Sequence, residues 1–237
     1  MTATLEFGVA TGLTLLIAAL LSPVAALPFL FVGAAGVAMI VLAVVVGTAW
    51  WRLEMRGGLG AANRLTLLRG GLLALLVGFG GVALADDSEM GAGWPFALAL
   101  AALMLDGVDG AVARRTGTES DFGARFDMEL DAALALVLAI LVFAYDRAGV
   151  WVLLLGLPRY AFLAVARWLP ALRQPLPPSQ RRRAICVVQV ATLAVSLFPW
   201  VGPPLPALAC AIAAVLLYGS FAVDARTLLR GAPVATM

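Results

Sequence analysis

The chain contains no lysine and no histidine, and all 16 of its basic residues are arginine. A histidine-ligated metal, a histidine general base and a lysine Schiff base are therefore excluded. Cysteine is scarce too. Cys186 and Cys210 fall in separate apolar runs, show no metal-ligand spacing and read as buried free thiols. Charged residues make up only 13% of the chain, about half the share in an ordinary soluble domain. Short alternating segments, the signature of a transmembrane β-barrel, are missing as well.

What is present is apolar. Hydrophobic residues make up 63% of the chain, and the mean hydropathy is +1.01. They gather in runs of about 17 to 24 residues, the length a helix needs to cross hydrocarbon. Eight such segments are expected, over 5–22, 27–50, 64–85, 95–114, 122–145, 150–169, 184–200 and 205–224. Turn-forming stretches separate them: "SPVAALP", "RGGLGAAN", "DDSEMGAGWP", "YDRAG", "RQPLPPSQ" and "VGPPLP". The expected fold class is all-α, a polytopic membrane helix bundle of about eight transmembrane helices. The opening "MTATLEFGVATGLTLLIAALL" lacks a basic stretch and carries Glu6, so it reads as a retained first helix rather than a cleaved leader.

Arginine placement suggests an orientation. With an even number of helices, Arg52, Arg56, Arg64, Arg69, Arg114, Arg115, Arg125, Arg167, Arg173, Arg181, Arg182, Arg183, Arg226 and Arg230 fall on the side of both termini. Arg147 lies opposite, with the acidic loop Asp86, Asp87 and Glu89. Both termini are therefore expected in the cytoplasm. Trp50, Trp51, Trp94, Trp151, Trp168 and Trp200 sit at expected helix ends, where an aromatic belt would place them. Composition changes across "RLEMRGGLGAAN". This seam divides a nearly uncharged two-helix hairpin, 1–55, from a six-helix core, 56–237, that carries the charges.

The charges that matter are aspartates. Asp106 and Asp109 are followed by Gly110 and Ala113, and helical spacing puts all four on one face. Asp127 and Asp131 share a face of the next helix, with Gly123 one turn before them. The connection "RTGTESDF" is short, so the two helices are expected to be antiparallel neighbours whose carboxylates converge. Carboxylates gathered in a low-dielectric setting need cations. Arg114, Arg115 and Arg125 offer a structural salt-bridge cluster. An oxygen-only ligand set also suits Mg²⁺, Mn²⁺ or Ca²⁺, and Mg²⁺ keeps positions open for phosphate oxygens.

Written out, the run is Asp106-x2-Asp109-Gly110-x2-Ala113-Arg114-x8-Gly123-x3-Asp127-x3-Asp131. It resembles the signature of the CDP-alcohol phosphatidyltransferases, with no position missing. Upstream, "NRLTLLR", with Asn63, Thr66 and Arg69, is similar to the Asn-x-x-Thr-x-x-Arg start of that family's first core helix. The resemblance implies two divalent ions, Mg²⁺ or Mn²⁺, held by Asp106, Asp109, Asp127 and Asp131. It implies that Asp131 is also the general base for the acceptor hydroxyl. It implies a nucleotide pocket formed by Asn63, Thr66, Arg69, Gly110, Ala113, Arg114 and Gly123, and it implies a homodimer. The expected reaction moves a phosphatidyl group from CDP-diacylglycerol to a small alcohol, with glycerol 3-phosphate the first choice, and releases CMP. The expected setting is a bacterial inner membrane, with the site facing the cytoplasm and no nucleic-acid partner.

The acceptor side is less fixed. Pro158 and Arg159 fall halfway along the sixth segment, where a proline kinks a helix and an arginine is a functional candidate. Arg167 lies close to the same face. "RAICVVQ" is similar to a Lys-x-x-Thr-x-x-Gln pattern of family members with phosphorylated acceptors. Arg183 stands for the lysine, Cys186 departs from the threonine and Gln189 agrees. Arg159, Arg167, Arg183 and Gln189 are therefore the candidate acceptor residues, and Arg181–Arg183 also read as a topology or anionic-lipid signal. Three alternatives stay open. In one, a small CDP-alcohol donates to a lipid acceptor. In another, the chain is a membrane prenyltransferase, although its aspartate pairs lie unusually close together. In the third, it is a cation or proton transporter, although no second copy of the motif is present.

Overall fold

The computed structural model describes residues 3–52, 58–85, 93–116, 120–168 and 179–229. Within these, the side chains of residues 62, 108–116, 121, 166, 228 and 229 lie outside the description. The described residues form α1 (Ala3–Val24), α2 (Phe29–Arg52), α3 (Gly60–Ala85), α4 (Gly93–Thr116), α5 (Asp121–Ala144), α6 (Leu153–Gly156), α7 (Pro158–Trp168), α8 (Gln180–Ser196) and α9 (Leu205–Leu229). A single 3-10 turn, Val150–Val152, leads into α6, and no strand occurs among the described residues. The chain is a polytopic helical bundle.

Four helices are long and apolar enough to cross a membrane: α1, α2, α3 and α9. α4 and α5 match them in length but carry carboxylates, at Asp106 on α4 and at Asp127, Glu129 and Asp131 on α5. The acidic loop 86–92, Arg56, Arg173 and Arg230 lie outside the described residues.

α3 is the hub, packing against α1, α2, α4 and α5. Its glycines explain how closely α1 and α2 approach, since small residues let membrane helices bring their backbones together. A Cβ at Gly71 would stand 2.7 Å from Thr14 Oγ1, and one at Gly78 would stand 2.8 Å from the Phe31 carbonyl oxygen. The Phe31 ring itself packs edge-on against Phe79, with centroids 4.9 Å apart. The main apolar core runs from these residues through Leu75, Leu76, Leu138 and Leu141 to Leu193 and Leu197. A second cluster joins Phe7, Met39, Val46 and Trp50 of the hairpin to Leu59, Leu67, Phe122 and Phe126. That cluster ties α1 and α2 to the first turns of α3 and α5.

The sixth apolar segment is not one helix. It breaks at Leu157, just before Pro158, because proline has no N–H for the Leu154 carbonyl and clashes with the preceding turn. Side chains take over the freed acceptors. Tyr218 donates to the Leu154 oxygen at 2.7 Å, and Gln189 Nε2 donates to the Leu155 oxygen at 2.5 Å. The seventh helix also begins earlier than its apolar run, at Gln180, so that Arg181, Arg182 and Arg183 occupy its first turn.

Among the tryptophans, Trp51, Trp94, Trp151, Trp168 and Trp200 are exposed. Trp50 is buried instead, edge-on to Phe122 with centroids 5.0 Å apart, because the second cluster covers that end of α2. Cys210 is buried as expected, with Ser196 Oγ 3.5 Å from its sulfur, whereas Cys186 is exposed.

Candidate metal and substrate site

Asn63, Thr66 and Arg69 recur every three residues and so form one stripe of α3. All three are buried, at 7%, 3% and 2% exposure. A guanidinium among apolar helices is tolerated only when it is paired. Arg69 Nη2 lies 2.7 Å from Asp106 Oδ1 and 2.5 Å from Asp131 Oδ1. Its Nη1 lies 2.5 Å from Asp127 Oδ1. One guanidinium thus gathers three carboxylates from two other helices.

The convergence expected from helical spacing is present. One oxygen from each of Asp106, Asp127 and Asp131 can be chosen so that all lie within 4.8 Å of one another. One positive charge against three carboxylates leaves a surplus of negative charge. An all-oxygen donor set of this compactness fits a hard divalent cation. Asp109, Gly110, Ala113 and Arg114 lie on the last two turns of α4, and their side chains fall outside the described residues.

Gly123 sits at the start of α5, where the Ser120 hydroxyl caps the helix by accepting from the Gly123 N–H at 3.0 Å. A Cβ at Gly123 would lie 2.6 Å from Asn63 Oδ1. Asn63 in turn donates from Nδ2 to the Leu59 carbonyl at 2.8 Å. The glycine therefore makes room for Asn63 and brings the stripe of α3 against the first turn of α5.

The three aspartates and Arg69 open into a cavity of about 630 Å³. Its far wall is the start of α8, with Ser179, Gln180, Arg182, Arg183 and Cys186. Arginines in the first turn of a helix oppose the helix dipole and need compensation or a purpose. Asp224 of α9, which is 8% exposed, supplies part of the compensation. Arg181 Nη2 reaches its Oδ1 at 2.5 Å and Arg182 Nη1 at 3.4 Å. Arg183 is exposed and lines the same cavity as the aspartates. The cavity thus has an acidic wall suited to cations and a basic wall suited to an anion.

The other acceptor candidates lie elsewhere. Arg159 pairs with Glu129 through both Nε and Nη2, with Nε 3.2 Å from Oε2. Arg167 is exposed on α7. Gln189 is buried in its bond to the Leu155 carbonyl. None of the three lines the cavity. Gly107, Arg182 and Asp224 were not singled out by the sequence. A lone acid such as Asp224 on a long apolar helix was the available signal, since such residues are rarely idle.

A family model described as CDP-alcohol phosphatidyltransferase matches residues 59–223. No curated protein matches the chain. No solved structure matches it either.

Proposed function

Because the chain belongs to the CDP-alcohol phosphatidyltransferase family, we propose that it moves a phosphatidyl group from CDP-diacylglycerol to a small phosphorylated alcohol and releases CMP. Membership makes it a transferase acting on a CDP-alcohol, with a membrane setting. The choice of donor and acceptor is the proposal. The observation that carries it is the single cavity whose walls hold Asp106, Asp127 and Asp131 on one side and Arg182 and Arg183 on the other. Its volume, about 630 Å³, lies in the range that small-molecule sites occupy.

In this reading Asp106, Asp109, Asp127 and Asp131 hold two divalent ions, Mg²⁺ or Mn²⁺. When bound, such ions neutralise the donor's diphosphate and stabilise the departing phosphate. Arg69 holds the three carboxylates at one centre and offsets part of their charge. Asn63, Thr66, Gly110, Ala113, Arg114 and Gly123 form the nucleotide side. Arg182 and Arg183 hold the acceptor's phosphate across the cavity. Asp131 takes the proton of the acceptor hydroxyl. The hydroxyl oxygen then bonds to the phosphorus that bears the diacylglycerol. The bond from that phosphorus to the oxygen shared with the CMP phosphate breaks, and the electron pair leaves with CMP. The site faces the cytoplasm of a bacterial inner membrane, and the assembly is a homodimer.

The test is a panel of acceptors with labelled CDP-diacylglycerol and Mn²⁺ or Mg²⁺, with lipid products identified by mass. Glycerol 3-phosphate or another phosphorylated alcohol is expected to yield CMP and a new phospholipid. Turnover only with unphosphorylated alcohols would overturn the role given to Arg182 and Arg183. Turnover only when a small CDP-alcohol meets diacylglycerol would reverse donor and acceptor.

A further inference from the structure

Glu6 is an acid buried near the start of the apolar hairpin, at 5% exposure. An ionisable group placed so costs free energy unless it is satisfied, and its position is rarely idle. Its two oxygens have separate tasks. Oε2 accepts from the backbone N–H of Leu59 at 2.7 Å, in the residue that precedes α3. Oε1 accepts from Arg64 Nε at 3.0 Å and from Arg64 Nη2 at 2.7 Å, one turn into α3. The carboxylate thus caps the start of the very helix that carries Asn63, Thr66 and Arg69.

The contacts run on toward the site. The Leu59 carbonyl accepts from Asn63 Nδ2 at 2.8 Å, and Asn63 Oδ1 lies where a Cβ at Gly123 would be. The second apolar cluster supports the same junction, since Phe7 from α1 and Trp50 from α2 pack with Leu59, Leu67, Phe122 and Phe126. The family match begins at residue 59, so the hairpin lies outside it.

We propose that Glu6 is a positioning residue for the nucleotide side of the site. It fixes the first turn of α3, and through Leu59 it fixes Asn63 against Gly123. The hairpin is then part of the substrate pocket's framework and does more than anchor the chain. This inference rests on the nucleotide-transfer reading given above.

The experiment compares the full-length protein with Glu6→Gln, Glu6→Ala, Arg64→Ala and Asn63→Ala. Steady-state kinetics and calorimetric CMP binding with Mn²⁺ are the readouts. Glu6→Ala is expected to raise the donor KM and weaken CMP binding by about tenfold, the size of a lost charge-assisted hydrogen bond. The acceptor KM and kcat are expected to stay within about threefold, as befits lost ground-state positioning. Arg64→Ala keeps the Leu59 bond and is expected to cost less. Adding Glu6→Ala to Asn63→Ala is expected to cost little more than Asn63→Ala alone, because both act through one side chain. Glu6→Gln keeps the shape of the side chain and carries the test if the alanine variant does not fold. Lower thermal stability with donor KM and CMP affinity unchanged would overturn the inference and leave the transfer reading standing. Wild-type protein that binds no CMP would overturn both.

Discussion

Asp131 and Asp127 bind the same guanidinium, Arg69, each at 2.5 Å, although a full helical turn separates them on α5. Arg69 lies 62 positions before Asp131 in the chain. The sequence motif assigned Arg69 to the nucleotide, yet its charged end stands among the aspartates. It is the positive charge around which the acidic wall is arranged.

Removing that charge has an expected cost. Arg69→Gln leaves three carboxylates crowded together, and breaking a buried ion pair costs about 3 to 5 kcal/mol. The expected outcome is a lower melting temperature without added metal. Mn²⁺ is expected to restore much of the lost stability in the variant, and more than it adds to the wild type. An equal shift in both proteins, read from melting curves with and without Mn²⁺, counts against a shared cation site.

Asp131→Asn keeps the size of the side chain but removes its basicity. Turnover is expected to fall by about 10² to 10⁴, the usual worth of a positioned base. CMP binding is expected to change far less. Asp106→Asn is expected to do the opposite and abolish metal-dependent CMP binding in calorimetry. CMP release that continued in Asp131→Asn would remove it as the base.

Arg183→Ala is expected to raise the KM of a phosphorylated acceptor by about tenfold or more, the size of a lost charged hydrogen bond, with a smaller effect on CDP-diacylglycerol. Arg159→Ala and Gln189→Leu provide the contrast. Arg159 is held by Glu129, and Gln189 by the Leu155 carbonyl. Their loss is expected to lower stability and leave the acceptor KM nearly unchanged. A larger acceptor effect from Arg159→Ala than from Arg183→Ala would move the anion site to α7.

Gly123→Ala places a methyl group 2.6 Å from Asn63 Oδ1, so one of the two must shift. Weaker CMP binding is expected, by about tenfold, within the range reported for coupled neighbours. Asn63→Ala opens space for the methyl group, so the double variant is expected to be less impaired than the two single losses combined. Additive losses would show that Gly123 makes room for something other than Asn63.

The eight apolar segments were legible because a membrane helix must be long and apolar whatever surrounds it. The convergence of Asp106, Asp127 and Asp131 was legible because helical spacing fixes which residues share a face. What one helix's spacing does not reveal is the neighbour that its face meets. For that reason the meeting of Arg69 with the aspartates, and of Arg182 with Asp224, appeared only in three dimensions. Pro158 announced a disturbance, but Tyr218 and Gln189, which satisfy the freed carbonyls, come from distant segments. Trp50 read as a membrane-interface anchor because position at a helix end is all that sequence offers. Its burial depends on Phe122, far along the chain. Glu6 was visible as a lone acid, but its partners Leu59 and Arg64 were not.

The glycine face of α3 also bears on how the protein is made. Synthesis runs from the N-terminus, so Arg69 enters the bilayer before Asp106, Asp127 and Asp131 have left the ribosome. A guanidinium at that stage opposes insertion by roughly 2.5 to 3.5 kcal/mol. By then α1 and α2 are already in place, and Gly71 and Gly78 can seat against Thr14 and Phe31 while Glu6 receives Arg64. The hairpin thus gives a costly helix a place to dock until its counter-charges arrive, much as a jig holds a part until the last fastener is set.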